Sequence, residues 1–101
     1  MAQVLIVYPS GPSFDLDYYL KKHMPLVSEL WTPHGLLSWD VLTFQADAPY
    51  QVQATLYWES LEAFEKAAGQ EVTAKIFGDI PNYTTAQAVI LKGKVVAKKS
   101  D

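Results

Sequence analysis

Apolar and polar positions alternate along this chain with two periods, and the changes of period mark its elements. Val4 to Tyr8 is a continuous, largely β-branched apolar run closed by Pro9-Ser10-Gly11-Pro12, which predicts a strand buried on both faces followed by a loop. From about Leu16 the pattern turns helical. At 100° per residue, Leu16, Leu20, His23, Val27, Leu30 and Trp31 fall in one stripe, while Asp17, Tyr18, Lys21, Lys22, Ser28 and Glu29 lie opposite. Asp15 and Asp17 suit the start of that helix, where carboxylates complement the macrodipole. Pro25 falls on the solvent side, forfeits a backbone hydrogen bond and predicts a kink.

Thr32-Pro33-His34-Gly35 is a break. Leu36 to Gln45 then alternates as a strand, with Trp39, Val41 and Thr43 on one face and Asp40, Leu42 and Phe44 on the other. After the turn at Ala46–Pro49, Val52 to Trp58 alternates again, which predicts an antiparallel hairpin. Ser60 is a natural N-cap, and Leu61, Phe64, Ala68, Val72 and Ile76 form a second helical stripe. Gly69 interrupts it, so two helical pieces are expected. Gly78–Pro81 ends the helix, and Tyr83 to Leu91 reads as the last strand.

The order β-α-β-β-α-β is the ferredoxin-like one: an α+β fold with a four-stranded antiparallel sheet and two helices on one face. Residues 1–92 are expected to make one domain, and 93–101 a frayed Lys-rich tail. Two helices cover only one side of such a sheet, yet most strands carry bulky residues on both faces. The second face therefore calls for a partner, most simply another copy of the chain as a homodimer.

Composition narrows the chemistry. The chain of 101 residues has no Cys, which excludes disulfides, thiolate nucleophiles and Cys-ligated metals. Its net charge of −3 argues against nucleic-acid binding, and no apolar run approaches a membrane span. The N-terminus lacks the basic start of a signal peptide, so a cytoplasmic location is expected. The Asn82-Tyr83-Thr84 sequon is then a chance match. Arg is also absent, and the bidentate clamp for carboxylates and phosphates goes with it. A small neutral, hydrophobic or aromatic ligand is the better match. Thirteen aromatics in a chain this small exceed the needs of one core.

His23 is the sharpest chemical signal, because an imidazole stands where the apolar stripe calls for Leu or Met. Burial favours its neutral form near pH 7, which suits a general base. The plain alternative is a core histidine bonded to a backbone carbonyl or a Tyr hydroxyl. Tyr83 is placed to orient His23 or a substrate, or else is a strand Tyr with a wet hydroxyl. Trp39, Tyr57 and Trp58 on the middle strands would line an apolar pocket or fill a dimer core. Tyr8, Tyr18 and Tyr19 are open between pocket, helix packing and interface. His34 reads as a loop residue and Asp40 as an edge or paired carboxylate. His23 and His34 lie on different elements without clustered carboxylates, so no metal site is expected.

Two segments carry a resemblance. The run Asp17-Tyr18-Tyr19-Leu20-Lys21-Lys22-His23-Met24-Pro25-Leu26-Val27, with Tyr8-Pro9 before it and Asp79-Ile80-Pro81-Asn82-Tyr83-Thr84 after it, resembles the EthD family. These small proteins are named for an ethyl tert-butyl ether degradation cluster, and the resemblance covers about residues 4–91. It implies a dimeric α+β barrel, in which two ferredoxin-like sheets pack face to face. In the namesake cluster the family member accompanies a cytochrome P450 system. Related small barrels include decarboxylases, cyclases, isomerases, cofactor-free monooxygenases and haem-degrading enzymes. In several of them a His of the first helix is the proposed acid/base residue, and His23 is the matching position.

The chain thus reads as an EthD-like protein with an apolar pocket, working by cofactor-free acid/base chemistry at His23 with Tyr83. Tyr8, Tyr19, Trp39, Tyr57 and Trp58 would contact the ligand. The competing reading is a non-catalytic binding or accessory protein for a monooxygenase pathway. Haem lacks a second supporting motif, so no cofactor is expected.

Overall fold

The structure, a computed structural model, describes residues 1–99. Strand β1 (Ala2–Pro9) runs down the middle of the sheet, between β3 (Tyr50–Trp58) and β4 (Val89–Lys94). β2 (Leu36–Thr43) lies outside β3, giving the order β2-β3-β1-β4 with every pairing antiparallel. This is the α+β ferredoxin-like arrangement expected from the alternation of periods.

The pleat sorts side chains to two faces. Ala2, Val4, Ile6 and Tyr8 of β1 and Val52, Ala54, Leu56 and Trp58 of β3 are buried, and they share the face that the helices cover. The other face carries Gln3, Leu5 and Val7 of β1, beside Gln53, Thr55 and Tyr57 of β3. Val4 to Tyr8 was expected to be buried on both faces; Val7 is buried on the open side, but Leu5 is only half-buried, because no helix reaches that side. Leu42, Phe44, Val89 and Leu91 are exposed there.

The first helical segment is continuous but not uniform. It consists of α1 (Leu16–Tyr18), a π turn at Tyr19–His23, and α2 (Met24–Trp31). The Asp15 carboxylate caps it by accepting from the Tyr18 N–H at 3.1 Å. The expected kink at Pro25 takes the form of this π turn just before it. Proline has no N–H to give and its ring crowds the carbonyl four residues back, so the preceding turn widens. The Met24 N–H accordingly reaches the Tyr19 carbonyl, five residues back. Widening changes the phase of the wheel. Tyr19, His23, Met24, Val27 and Trp31 point inward, whereas Leu16 and Leu20, expected in the stripe, are exposed.

The second helix is two pieces, α3 (Leu61–Ala68) and α4 (Glu71–Gly78), parted at Gly69. Ser60 caps α3 by accepting from the Ala63 N–H at 3.0 Å. Ala67, rather than the expected Ala68, is the buried alanine. Trp31, Trp58 and Phe64 meet edge to face, with Trp31 and Trp58 centroids 5.4 Å apart. The Trp31 indole N–H donates to Thr73 Oγ1 at 2.9 Å, and Thr73 donates to the Ala67 carbonyl at 2.6 Å, which ties α2, α4 and α3 together.

The last strand begins at Val89, not at Tyr83. Residues Ile80–Asn82 form a 3-10 turn, and Tyr83 and Thr84 lie against the loop before α1. There the Asp15 N–H donates to the Tyr83 carbonyl at 2.8 Å, and Thr84 Oγ1 donates to the Ser13 carbonyl at 2.7 Å. At its other end β4 runs on to Lys94, pairing Gly93 with Gln3 and Lys94 with Ala2, so these two residues of the expected tail belong to the sheet.

Gly35 ends the segment between α2 and β2 at φ 117°, and a Cβ there would stand 3.1 Å from the Ala63 Cβ. Strain and contact act together. Gly35→Ala is expected to lower stability by about 1–3 kcal/mol in urea denaturation.

Candidate functional site

The π turn and the 79–83 turn face each other, and between them lies a chain of polar groups inside an aromatic shell. His23 is 3% exposed. Its Nδ1 lies 3.0 Å from Asp79 Oδ2. Asp79 follows the C-terminus of α4, and its other oxygen, Oδ1, accepts from the Tyr18 hydroxyl at 2.7 Å and from Asn82 Nδ2 at 2.8 Å. On the far side of the ring, Nε2 is 3.3 Å from the Tyr83 hydroxyl, which is 2.6 Å from the Tyr8 hydroxyl.

The donor inventory sets one direction for this relay. An ionised carboxylate only accepts, so Nδ1 carries the proton and Nε2 is a bare acceptor. Tyr83 then donates to Nε2, and Tyr8 donates to Tyr83. The sequence is Tyr8 to Tyr83 to His23 to Asp79, with the Tyr83–His23 step the longest link at 3.3 Å.

Rings enclose the relay. Tyr19 stacks on His23 at 5.3 Å with planes 14° apart, and Tyr83 is tilted against the imidazole at 4.7 Å. Phe14 stands edge-on to Tyr8, Tyr19 and Tyr83. The shell is dry inside and wet outside: Tyr8, Tyr19 and Tyr83 are buried, Asp79 and Tyr18 are half-buried, and Asn82 is exposed.

Burial lowers the His23 pKa, and the opposing pull of the Asp79 hydrogen bond and charge does not cancel it, so the imidazole is neutral at pH 7. Burial alone would raise the Asp79 pKa, but hydrogen bonds from Asn82, Tyr18 and His23 outweigh it and hold the carboxyl below its ordinary range. Burial raises the Tyr83, Tyr19 and Tyr8 phenols above the ordinary Tyr value, so all three stay protonated.

The structure thus brings together five of the residues singled out by sequence: His23, Tyr83, Tyr8, Tyr19 and, through Asp79, Tyr18. It does not bring the others to them. Trp39 packs toward α2, its indole N–H donating to Ser28 Oγ at 2.6 Å. Tyr57 lies on the open face and donates to Asp40 Oδ2 at 2.9 Å, which raises its pKa. Trp58 is wholly buried against Trp31 and Phe64. Trp39 and Trp58 lie on the helix-covered face and Tyr57 on the open one, because neighbouring β3 residues point to opposite faces, so the three do not share a pocket within the chain.

Asp79 is the residue sequence reasoning missed as part of a site. It was read as helix punctuation. The available signal was its spacing of four from Tyr83 across a Pro-containing turn, which places both on one side of that turn. Among the described residues no three carboxylate or imidazole groups converge on a metal position. The apolar space lies elsewhere. A groove of about 540 Å³ runs between α3, α4 and β4, lined by Phe64, Phe77 and Ile90 with Lys92 at its rim. Another, of about 380 Å³, lies beside Leu5 and Leu91. Neither is lined by His23 or Tyr83.

The chain matches no protein-family profile and no curated protein. It does match solved structures. An EthD-like protein of Ralstonia eutropha superposes with a TM-score of 0.81 at 29% identity, over 98% of this chain and 95% of that one. The chain is EthD-like. An EthD family protein of Bacillus halodurans has the same fold, with a TM-score of 0.75 at 15% identity over 95% of this chain and 99% of its own. A dimeric ferredoxin-like protein from an uncultured marine organism follows, with a TM-score of 0.67 at 18% identity over 100% of both chains. Among the described residues no helix of the EthD-like chain is long and apolar enough to cross a membrane.

The relay makes stability depend on pH. A histidine whose folded pKa is depressed is protonated more readily when unfolded, so its contribution is present above the unfolded value and lost as pH falls through the window below it. Asp79, also depressed, adds a second loss at lower pH. The melting temperature is expected to fall as pH drops below about 6.5, the ordinary histidine value. His23→Gln is expected to flatten that first step, which a series of thermal melts between neutral and acid pH will read.

Proposed function

We propose that this EthD-like chain is a cofactor-free acid/base enzyme of the cytoplasm, acting as a homodimer on a small neutral or aromatic molecule. The observation that carries the reading is the state of His23: desolvated, neutral, oriented by a carboxylate, with a bare nitrogen toward Tyr83. A substrate hydroxyl or acidic C–H that displaces the Tyr83 hydroxyl from its 3.3 Å contact meets that bare Nε2. The imidazolium formed on taking its proton is compensated by the Asp79 carboxylate at 3.0 Å. His23 is the proton acceptor, Asp79 positions it, and Tyr83 and Tyr8 conduct the proton or hold the substrate oxygen. The rings of Tyr8, Phe14 and Tyr19 and the absence of Arg suit an uncharged ligand. Decarboxylation, isomerisation, cyclisation and oxygenation of an activated carbanion all begin from such a proton transfer.

A second reading, a non-catalytic binding protein accessory to a monooxygenase or ether-degrading pathway, is favoured by one observation: the apolar groove under Phe64 and Phe77 is not lined by His23. Deuterium incorporation from D2O into 2,4-pentanedione separates the two. The enzyme reading expects acceleration by the protein and a loss of about 100-fold or more in His23→Gln. Equal exchange in both proteins, with 2-naphthol binding retained in the variant, supports the carrier instead.

The dimer rests on the open face, where Leu42, Phe44, Val89 and Leu91 are exposed, and on the dimeric relative of the same fold. Light scattering is expected to give twice 11.3 kDa. Leu91 stands 52% exposed on that face, and Leu91→Lys is expected to give the monomer mass.

A further inference from the structure

We propose that Tyr83 is a redox-active tyrosine, which gives an electron to an external outer-sphere oxidant of the high-potential, one-electron metal-complex class while its phenolic proton passes to His23. The inference does not rest on the acid/base reading, because it needs no bound substrate.

The step balances within the relay. The Tyr83 ring loses one electron to the oxidant, its O–H bond breaks, and an N–H bond forms at His23 Nε2. The imidazolium stays bonded to Asp79 Oδ2 at 3.0 Å, so the positive charge created by oxidation ends beside a carboxylate. The Tyr8 hydroxyl, 2.6 Å from Tyr83, remains as a donor to the phenoxyl oxygen. Return of one electron reverses both transfers.

Geometry selects Tyr83 among the tyrosines of the cluster. Oxidising a phenol is easiest where its proton has a base to go to. Tyr8 meets only phenols, those of Tyr83 and Tyr19, and Tyr19 lies with its ring nearly parallel to the imidazole, the planes 14° apart. Tyr18 donates to Asp79 Oδ1 at 2.7 Å, but a carboxylate is a weaker base than an imidazole. Only Tyr83 has a neutral ring nitrogen in reach, at 3.3 Å. Burial among Tyr8, Phe14 and Tyr19 keeps the radical from water and from collision with a second protein molecule. The half-exposed Tyr18 ring, stacked on Tyr83 at 6.2 Å, gives the electron a way out.

The test is flash oxidation with photogenerated tris(bipyridine)ruthenium(III), followed by freezing and EPR. The wild-type chain is expected to give a tyrosyl signal that disappears in Tyr83→Phe and survives in Tyr50→Phe, a change at an exposed residue outside the cluster. Near-UV circular dichroism establishes that each variant is folded. Should Tyr83→Phe not fold, His23→Gln and Asp79→Asn carry the test. Losing the base or its charge-assisted partner is expected to slow radical formation about tenfold or more. A tyrosyl signal unchanged in Tyr83→Phe, a wild-type signal from tryptophan alone, no radical at all, or formation rates unchanged in the His23 and Asp79 variants would overturn the proposal. The deuterium exchange into 2,4-pentanedione is read separately, so each proposal can fail without the other.

Discussion

A histidine taken out of water must have both ring nitrogens accounted for, and much of this chain is arranged around that requirement. The His23–Asp79 bond joins the middle of the first helical segment to the turn after the last helix, 56 residues apart in sequence. Making it requires Pro25 to widen the preceding turn, which brings Tyr19 and His23 inward together. It also requires the chain after α4 to turn back through Ile80-Pro81-Asn82, not to run straight into a strand. That turn supplies three of the polar partners at once: Asp79 to Nδ1, Tyr83 to Nε2, and Asn82 to the second carboxylate oxygen. A buried polar network is stabilising only when every member is satisfied. Every polar side chain of this one has at least one hydrogen-bond partner.

Much of the fold is legible in the sequence because strands and caps are local. The faces of β2 and β3, the Ser60 cap and the break at Gly69 follow from alternation and residue chemistry alone. His23 is legible as well, since a polar residue on an apolar stripe is conspicuous on any wheel. What escapes a uniform wheel is the change of phase inside a helix. A regular 100° step puts Leu16 and Leu20 in the core, and with the π turn in place both are exposed while Tyr19 is buried. The same limit affects Ala67 and Ala68, where one residue of phase decides which side is buried.

The site is less legible than the fold, for a reason that lies in Tyr83 and Asp79. Tyr83 heads an alternating run, Tyr83 to Leu91, and period-two patterning reads such a run as strand from its first residue. Tertiary bonds override that pattern. The Asp15 N–H takes the Tyr83 carbonyl, and Thr84 bridges to Phe14, so the chain is held to the loop before α1 and reaches the sheet only at Val89. Asp79 sits in Gly-Asp-Ile-Pro, a sequence whose local meaning is helix termination. Its second role appears only once a distant imidazole is placed beside it.

The division of the sheet into a closed and an open side separates two kinds of chemistry. On the helix side the aromatics split into an apolar group around Trp31, Trp58 and Phe64 and a hydroxylated group around Tyr8, Tyr19 and Tyr83. The first fills volume. The second places three phenols and an imidazole where a core of the same size would be served by Phe and Leu. Desolvating these hydroxyls costs free energy unless each is bonded, and replacing a satisfied polar network by apolar side chains is often neutral or stabilising. Stability alone therefore does not call for this composition at this end of the core. The arrangement does have a direction, from buried phenols to a half-exposed carboxylate. A directed row of hydrogen bonds between the interior and the surface is what movement of a proton requires.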